Sequence, residues 1–277
     1  AEDIVDAPRI SPFNSLNAQT MSFVEPITIL EAISAIELAQ TDANIKGICI
    51  RQDGEGIISA TNIEELRSAL TAFKLSGKFV VAYDDYYTQS EYYLASVADC
   101  VLLHPEGSLD WRGVGFTTTF FKGLIDKLQV DVEVFRPSTC KYKSAVEPYI
   151  MSKMSDANRQ QMLSLAEGIW NTIVEDVAAS REIEATLLKS YAVNLDVVLP
   201  EDAVSLNLVD GLAHENELYD IFAELGVKKN RDGDYNALSL GEYIAIAEQN
   251  MALSMSCGDY TAGNSNSPLL CIIYADG

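Results

Sequence analysis

Short apolar runs alternate with helical segments along the first hundred residues, and this alternation limits the folds that the chain can adopt. Runs rich in β-forming residues occupy positions 47–50, 79–83 and 100–103. Each run follows a stretch whose apolar side chains recur at helical spacing. Strands joined through helices of about ten to fifteen residues form right-handed crossovers in a mainly parallel sheet. The sequence therefore predicts an α/β fold.

The spacing of apolar residues also predicts where the helices lie. Ile29, Leu30, Ile33 and Ile36 would lie on one face of the first helix. After residue 150 the chain is expected to be mostly helical, and Ser155 and Asp156 would cap a long helix. Helices are expected near 62–76, through 92–95, and near 155–181, 183–192, 200–207, 215–225 and 239–251.

These elements suggest the domain organisation. We predict one domain over residues 1–255, in which 155–255 form a mostly helical extension. Glycine, asparagine and serine mark 256–268 as a linker. Residues 269–277 then begin with another apolar strand. We expect this strand to be ordered by addition to a sheet, because a lone apolar strand would leave an exposed edge.

Charge and composition exclude several classes of function. The chain has 277 residues and a net charge of -22, from 19 basic and 41 acidic residues. Such a balance opposes binding to nucleic-acid phosphates or anionic lipids. The sequence contains neither an apolar run of about twenty residues nor an amino-terminal signal-peptide pattern.

Cysteine and histidine offer little for metal or cofactor chemistry. Cys49, Cys100 and Cys271 lie in apolar runs and are predicted to be buried free thiols. The only two histidines are His104 and His214, so a histidine triad or a histidine-rich metal site has few residues to use. We predict no cofactor and no metal.

Several motifs resemble one family of proteases. The stretches are SGK at 76–78, YYTQSEYYLAS at 86–96, AD at 98–99, HP at 104–105, KYKSAVEPY at 141–149 and NLVDGL at 207–212. Together they resemble the signal peptide peptidase A family of Ser/Lys-dyad membrane proteases, which has the Clp-protease/crotonase fold. The most specific match is 141–149, which resembles the segment that holds the catalytic lysine of that family.

The resemblance is to the long form of the family, in which two copies of the fold are fused in tandem. It implies that the first copy provides the lysine and the second copy the serine. Residues 269–277 resemble the first strand of the second copy, so the serine would lie beyond residue 277 and this segment alone would be inactive. The resemblance further implies a homotetramer that degrades hydrophobic signal peptides. It would face the periplasm at the bacterial inner membrane, anchored by a segment outside this chain.

Lys143 is the one catalytic residue that the resemblance assigns here. A lysine that acts as general base must lose its proton, and an ordinary lysine pKa of about 10.4 requires an apolar, desolvated setting. Tyr142 and Val146 are expected to contribute to that setting, together with the second copy. Lys141 is interpreted as a solvated neighbour. Ser144 is interpreted as a turn or cap residue, because adjacent side chains point apart.

Other residues near the expected active site are assigned no catalytic role. Gln89 occupies the position at which the second copy carries its serine, at the start of a helix, and a carboxamide cannot be the nucleophile. Ser90 is off the motif. Residues 53–56 resemble the glycine-bearing oxyanion loop but are interpreted more simply as a tight turn. Four tyrosines are expected to be packing and interface residues, and the two tryptophans lie in apolar runs and need no special account. These residues are Tyr86, Tyr87, Tyr92, Tyr93, Trp111 and Trp170.

Two other functions remain open at this point. The same fold could serve as a non-catalytic scaffold or peptide-binding module. It could also be a crotonase-type acyl-CoA enzyme, although the net charge of -22 opposes recognition of the coenzyme's phosphates.

Overall fold

The computed structural model describes residues 27–51, 59–135, 140–229 and 235–256, and the backbone of strands at 4–5, 16–17, 22–23 and 269–274. The strands are β1 (Ile4–Val5), β2 (Leu16–Asn17), β3 (Ser22–Phe23), β4 (Ile27–Thr28), β5 (Ile45–Arg51), β6 (Phe79–Tyr87), β7 (Cys100–Leu109), β8 (Gly211–Leu212), β9 (Ala237–Ser239) and β10 (Leu269–Tyr274). The helices are α1 (Ile29–Thr41), α2 (Ala60–Leu75), α3 (Gln89–Ala95), α4 (Lys122–Leu128), α5 (Glu147–Ile150), α6 (Asp156–Arg181), α7 (Ala185–Asn194), α8 (Pro200–Ser205), α9 (Leu218–Glu224) and α10 (Leu240–Ser256).

The central element is a six-stranded sheet in the order β8-β7-β6-β5-β10-β9, and all of its neighbouring strands are parallel. Helix α2 connects β5 to β6, and α3 connects β6 to β7. The predicted α/β fold with βα alternation is therefore confirmed. Parallel strands need such crossovers, because consecutive strands must start from the same edge of the sheet.

Both faces of the sheet are covered by apolar side chains. Successive strand residues point to opposite faces, so Ile48 and Val80 enter a core with α1, α2, α3, α6 and α7. Cys49 and Val81 instead enter a smaller core with Phe222 of α9. The strands read as continuous apolar runs because helices shield them on both sides.

The cysteine predictions are confirmed in part. Cys49 is fully buried, and this burial, against the opposing charge of Arg51, raises the pKa of its thiol to about 12. Cys100 is only partly buried, and burial raises its pKa to about 11. The side chain of Cys271 lies outside the described residues.

The four apolar residues that share a face of the predicted first helix differ in burial. Ile29 and Ile36 are buried and Ile33 packs against the core, whereas Leu30 is 70% exposed. Leu30 instead lines an apolar groove with Leu38 of α1 and Ile244 of α10. The buried face combines small and large residues, which are Ile29, Ala32, Ala35, Ile36 and Ala39.

The helical extension follows the prediction closely. Ser155 is the N-cap of α6, and its hydroxyl accepts a hydrogen bond from the amide of Asn158 at 3.2 Å. Helices α7 to α10 lie close to their predicted positions. Among the helices that the structure describes, none has the length and hydropathy needed to cross a bilayer.

Strand β10 joins the sheet between β5 and β9, and it pairs Cys271 with Ile48 and Ile272 with Ser239. The prediction that this strand is ordered by addition to a sheet is therefore confirmed. The predicted linker falls mainly on residues 257–268, which lie outside the described residues. The assignment of 269–277 to a second domain stays a prediction.

Candidate active site

Lys143, the predicted general base, lies at the surface on an irregular segment just before α5. Its amide donates a hydrogen bond to the carbonyl of Cys140 at 3.1 Å, which closes a turn. The Tyr142 ring is 46% exposed and has the Nζ of Lys141 4.9 Å from its centre. Val146 is partly buried. Within the described part of the chain, the expected apolar shielding of this segment is therefore only partial.

A buried carboxylate ties the lysine segment to the start of α6. Glu147, the first residue of α5, is 1% exposed. Its Oε1 accepts a hydrogen bond from the Ser155 hydroxyl at 2.6 Å. Its Oε2 accepts one from the Ser155 amide at 3.1 Å and one from Nδ2 of Asn158 at 3.0 Å. The carboxylate thus lies at the positive end of a 26-residue helix, where the helix dipole favours it.

Gln89 is the first residue of α3, as the sequence predicted. Thr88 caps this helix, with its amide donating to Oε2 of Glu91 at 2.6 Å. The carboxamide Oε1 of Gln89 accepts hydrogen bonds from the amides of Arg112 at 3.2 Å and Gly113 at 2.8 Å. The resemblance places a serine at the equivalent position of the second copy. In this chain Gln89 occupies that position and binds backbone amides of the same chain.

An irregular stretch over residues 112–121 connects Gln89 with the lysine segment. Near the start of this stretch, Gly113 has a φ of 92°, which lies in the left-handed region that favours glycine. At its other end the amide of Phe121 donates to the carbonyl of Pro148 at 2.7 Å, and the Phe121 and Tyr149 rings stack with centroids 6.0 Å apart. Residues 112–121 thus contact Gln89 at one end and α5, which follows the lysine segment, at the other end.

Helices α2, α3 and α6 are joined by a buried cation. Arg67 is 6% exposed and donates to the carbonyl of Tyr93 and, at 2.7 Å, to the hydroxyl of Ser96. It also donates to the carbonyl of Asp176 at 3.3 Å and to the Ser180 hydroxyl at 2.9 Å. The Tyr93 hydroxyl bonds the Asp176 carboxylate. Burial lowers the pKa of Arg67, and neighbouring Tyr93 and Asp176 oppose that shift.

Most of the aromatic side chains named in the sequence analysis pack in the core. Tyr87, Tyr92 and Tyr93 are buried, and Trp111 is 1% exposed with its ring centroid 4.9 Å from that of Trp170. Tyr86, in contrast, is 44% exposed, and its hydroxyl donates to Asp110 at 3.0 Å. Ser90 is exposed, and Ser144 is partly buried with its carbonyl accepting from the amide of Glu147 at 2.9 Å.

The structure also forms a polar cavity that the sequence did not indicate. Its volume is about 250 Å³, and its lining residues are Arg51, Tyr83, Asp84, Asp85, His104 and Glu215. Arg51 bonds Glu215 at 2.6 Å. Burial, reinforced by the charge of Glu215, raises the pKa of Tyr83.

The two histidines meet at the rim of this cavity. The Nε2 atom of His104 and the Nδ1 atom of His214 lie 3.2 Å apart. They are 110 residues apart in the chain, and the pairing of Leu103 with Leu212 between β7 and β8 brings them together. No local pattern encodes that pairing. The predicted turn at residues 53–56, which would follow Arg51 near this edge, lies outside the described residues.

Comparisons with known proteins identify the family. The model of the family described as Peptidase family S49 matches residues 72–229, which include Gln89, Lys143 and Glu147. The chain is 30% identical over 229 residues to Protease 4 of Haemophilus influenzae and 30% identical over 223 residues to Protease 4 of Salmonella typhi. These matches cover 79% and 78% of this chain but 36% of each relative. The chain thus spans about a third of the length of these relatives.

More distant matches include a plant protein and solved structures. Serine protease SPPA, chloroplastic, of Arabidopsis thaliana is 25% identical over 170 residues, which are 61% of this chain and 25% of that protein. A mutant of the 1510-N membrane-bound stomatin-specific protease has a TM-score of 0.42 at 16% identity, covering 69% of this chain and 76% of that one. An enoyl-CoA hydratase from Shewanella pealeana has a TM-score of 0.41 at 10% identity, covering 83% and 72%. At these scores the structural likeness carries no functional information, whereas the family match extends over more than half of the sequence. This chain therefore belongs to peptidase family S49.

Proposed function

We propose that this chain is the lysine-bearing part of a serine endopeptidase with a Ser/Lys dyad, which degrades cleaved signal peptides. Lys143 is the general base, and a second copy of the fold, beyond residue 277, supplies the serine. The observation that carries the proposal is the match of residues 141–149 to the lysine segment of the family, inside the region matched by the family model. The longer bacterial relatives have enough additional length to hold a second copy.

In this mechanism the Nζ of Lys143 takes the proton from the serine hydroxyl as the oxygen attacks the scissile carbonyl. The same proton then passes to the leaving amine, and water hydrolyses the acyl-enzyme with the lysine again acting as base. Gln89 takes no part in bond making, because its carboxamide oxygen is occupied by the amides of Arg112 and Gly113.

The surface of the described chain is compatible with association with other subunits and with apolar peptides. Helix α4 buries none of its residues. Large apolar side chains are exposed nearby, namely Phe116, Phe121, Leu124, Leu128, Phe135 and Tyr149. We propose that these surfaces serve a homotetramer and its hydrophobic peptide substrates. The assembly would be held on the periplasmic side of the bacterial inner membrane by an anchor outside this chain.

A non-catalytic scaffold or peptide-binding module is the second candidate, and one observation favours it. Gln89, at the position that the resemblance gives to the serine, is hydrogen-bonded to backbone as a structural residue, which supports a structural role for this copy. A crotonase-type acyl-CoA enzyme is disfavoured by the net charge of -22.

The test compares two neighbouring lysines in the longer protease that contains this sequence. Lys143→Ala should lower kcat for a fluorogenic hydrophobic peptide by about 10²- to 10⁴-fold, since that is the usual contribution of a general base. Lys141→Ala, the matched control two residues away, should leave kcat nearly unchanged. The 277-residue chain alone should show no turnover.

Two results would contradict the proposal. Equal activities of the Lys143→Ala and Lys141→Ala proteases would remove the base from Lys143 and leave the scaffold function. Turnover by the 277-residue chain that is lost in Ser90→Ala would place the nucleophile in this copy instead.

A further inference from the structure

The lysine segment has no regular secondary structure of its own until α5 begins at Glu147. Such a segment needs an external anchor if one of its side chains is to be held at a reacting serine, because an error of about 1 Å in position can lower a rate about 100-fold. The anchor must lie close to Lys143 in sequence and must bind a rigid part of the fold.

Glu147 meets both conditions. We infer that Glu147 is a positioning residue: its buried carboxylate fixes the segment of residues 140–150 on the amino terminus of α6 and thereby sets where Lys143 is presented. The inference rests on the proposed function of Lys143. Glu147 touches no reacting atom and acts only through the backbone.

The site around Glu147 is built for a carboxylate. Among the described residues, the Ser155 amide, the Ser155 hydroxyl and Nδ2 of Asn158 donate hydrogen bonds to its two oxygens. A glutamine side chain has one oxygen and one NH₂ group. At this position its NH₂ group would face another hydrogen-bond donor, and one hydrogen bond would be lost. A buried charge is tolerated only when it is well hydrogen-bonded. Because Glu147 is only 1% exposed, its carboxylate depends on these hydrogen bonds rather than on water.

The anchor is connected to Lys143 through successive backbone turns. The Glu147 amide donates to the carbonyl of Ser144 at 2.9 Å, and the Lys143 amide donates to the carbonyl of Cys140 at 3.1 Å. On the other side of the anchor, the Met151 amide donates to the Glu147 carbonyl at 2.8 Å. Because these turns follow one another directly along the chain, a displacement of Glu147 moves the lysine with it.

The anchor binds a helix that is itself fixed in the fold. Helix α6 is held to α3 through Asp176, whose carboxylate bonds the Tyr93 hydroxyl and whose carbonyl accepts from Arg67. Helix α3 begins at Gln89. Helix α6 thus connects the lysine segment, at its amino-terminal end, to the core contacts near its carboxy-terminal end.

The first experiment measures the position of the segment without using activity. Trypsin cleavage after Lys141 and Lys143 is followed by mass spectrometry in the 277-residue chain carrying Glu147→Gln. We expect cleavage at these two sites to rise by about tenfold or more, because release of the anchor raises the population of locally opened segment. Cleavage after Lys189 on α7 should not change. Glu167→Gln, which removes an exposed carboxylate from α6, is the matched control and should behave as the original chain.

The second experiment connects the anchor to catalysis in the longer protease. Glu147→Gln should lower kcat by about tenfold or more with KM nearly unchanged, since the substrate surface is intact and only the base is misplaced. Glu147→Asp, which restores the charge with a shorter reach, should recover part of kcat. A purely structural role would lower the amount of folded enzyme and leave kcat per folded molecule unchanged.

The outcomes separate this inference from the proposed function. If Glu147→Gln leaves tryptic cleavage at Lys141 and Lys143 unchanged, or raises cleavage equally at Lys189, the anchor does not exist and the inference is wrong. If the segment is released but kcat per folded molecule is unchanged, the positioning role is wrong. The proposed function fails separately, through an active Lys143→Ala protease.

Discussion

Replacing Arg67 by methionine tests the buried network that joins α2, α3 and α6. Methionine keeps an unbranched apolar side chain but has no guanidinium group. Arg67 is 6% exposed, and its guanidinium group makes four hydrogen bonds and lies 4.4 Å from the centre of the Tyr93 ring. The Ser96 hydroxyl still donates to the Tyr93 carbonyl at 3.0 Å, so one acceptor keeps a partner. The Ser180 hydroxyl loses its charged partner.

The expected cost follows from these contacts. A hydrogen bond made by a charged group contributes about 1.5–3 kcal/mol, and Arg67→Met leaves the Asp176 carbonyl and the Ser180 hydroxyl without their bonds to the guanidinium group. We therefore expect the substitution to lower the free energy of unfolding by about 3–5 kcal/mol. For a chain of this size that corresponds to a decrease in Tm of about 6–20 °C, at roughly 2–4 °C for each kcal/mol.

Urea unfolding followed by circular dichroism measures this change directly. Arg159→Met is the matched control, because Arg159 is exposed on α6 and its replacement should change stability by no more than about 0.5 kcal/mol. Arg67→Lys should fall between the two, since an ammonium group keeps the charge but cannot span all four acceptors. If Arg67→Met is no less stable than Arg159→Met, the network does not hold these helices together.

Two further predictions concern Asp210 and Gln89. Burial raises the pKa of Asp210, but hydrogen bonds from Arg181 and a backbone amide outweigh it and lower that pKa below 3.8. A carboxyl whose pKa is lowered by folding stabilises the protein above its unfolded pKa and loses that contribution as the pH falls through the folded value. Asp210→Asn should therefore reduce the loss of stability that occurs in urea titrations as the pH falls below the ordinary aspartate pKa of about 3.9, and an unchanged acid sensitivity would contradict this. Gln89→Ala should speed hydrogen exchange at the amides of Arg112 and Gly113 while α3 stays protected, and lower stability by about 1 kcal/mol; unchanged exchange would show that the carboxamide does not hold this backbone.

Local patterns in the sequence were sufficient for the central strands and for most of the longer helices. The apolar runs near β5, β6 and β7 and the intervening helices were predicted from spacing alone, and the Ser155 cap marked the start of α6. The spacing could not say which side of α1 is buried, because Leu30 and Ala32 differ in size but not in class. In the structure Ala32 lies in the core and Leu30 is 70% exposed.

The sequence by itself therefore determined the α/β class and, through residues 141–149, where the catalytic lysine of the family would lie. The tertiary structure alone decided how that segment is held. Glu147 is buried because residue 155 starts a long helix directly opposite it, and His104 meets His214 because β8 pairs with β7. Both contacts depend on the relative placement of elements, which is set by packing and strand register rather than by neighbours in the chain. The spacing of residues along the chain contains only the local part of that information.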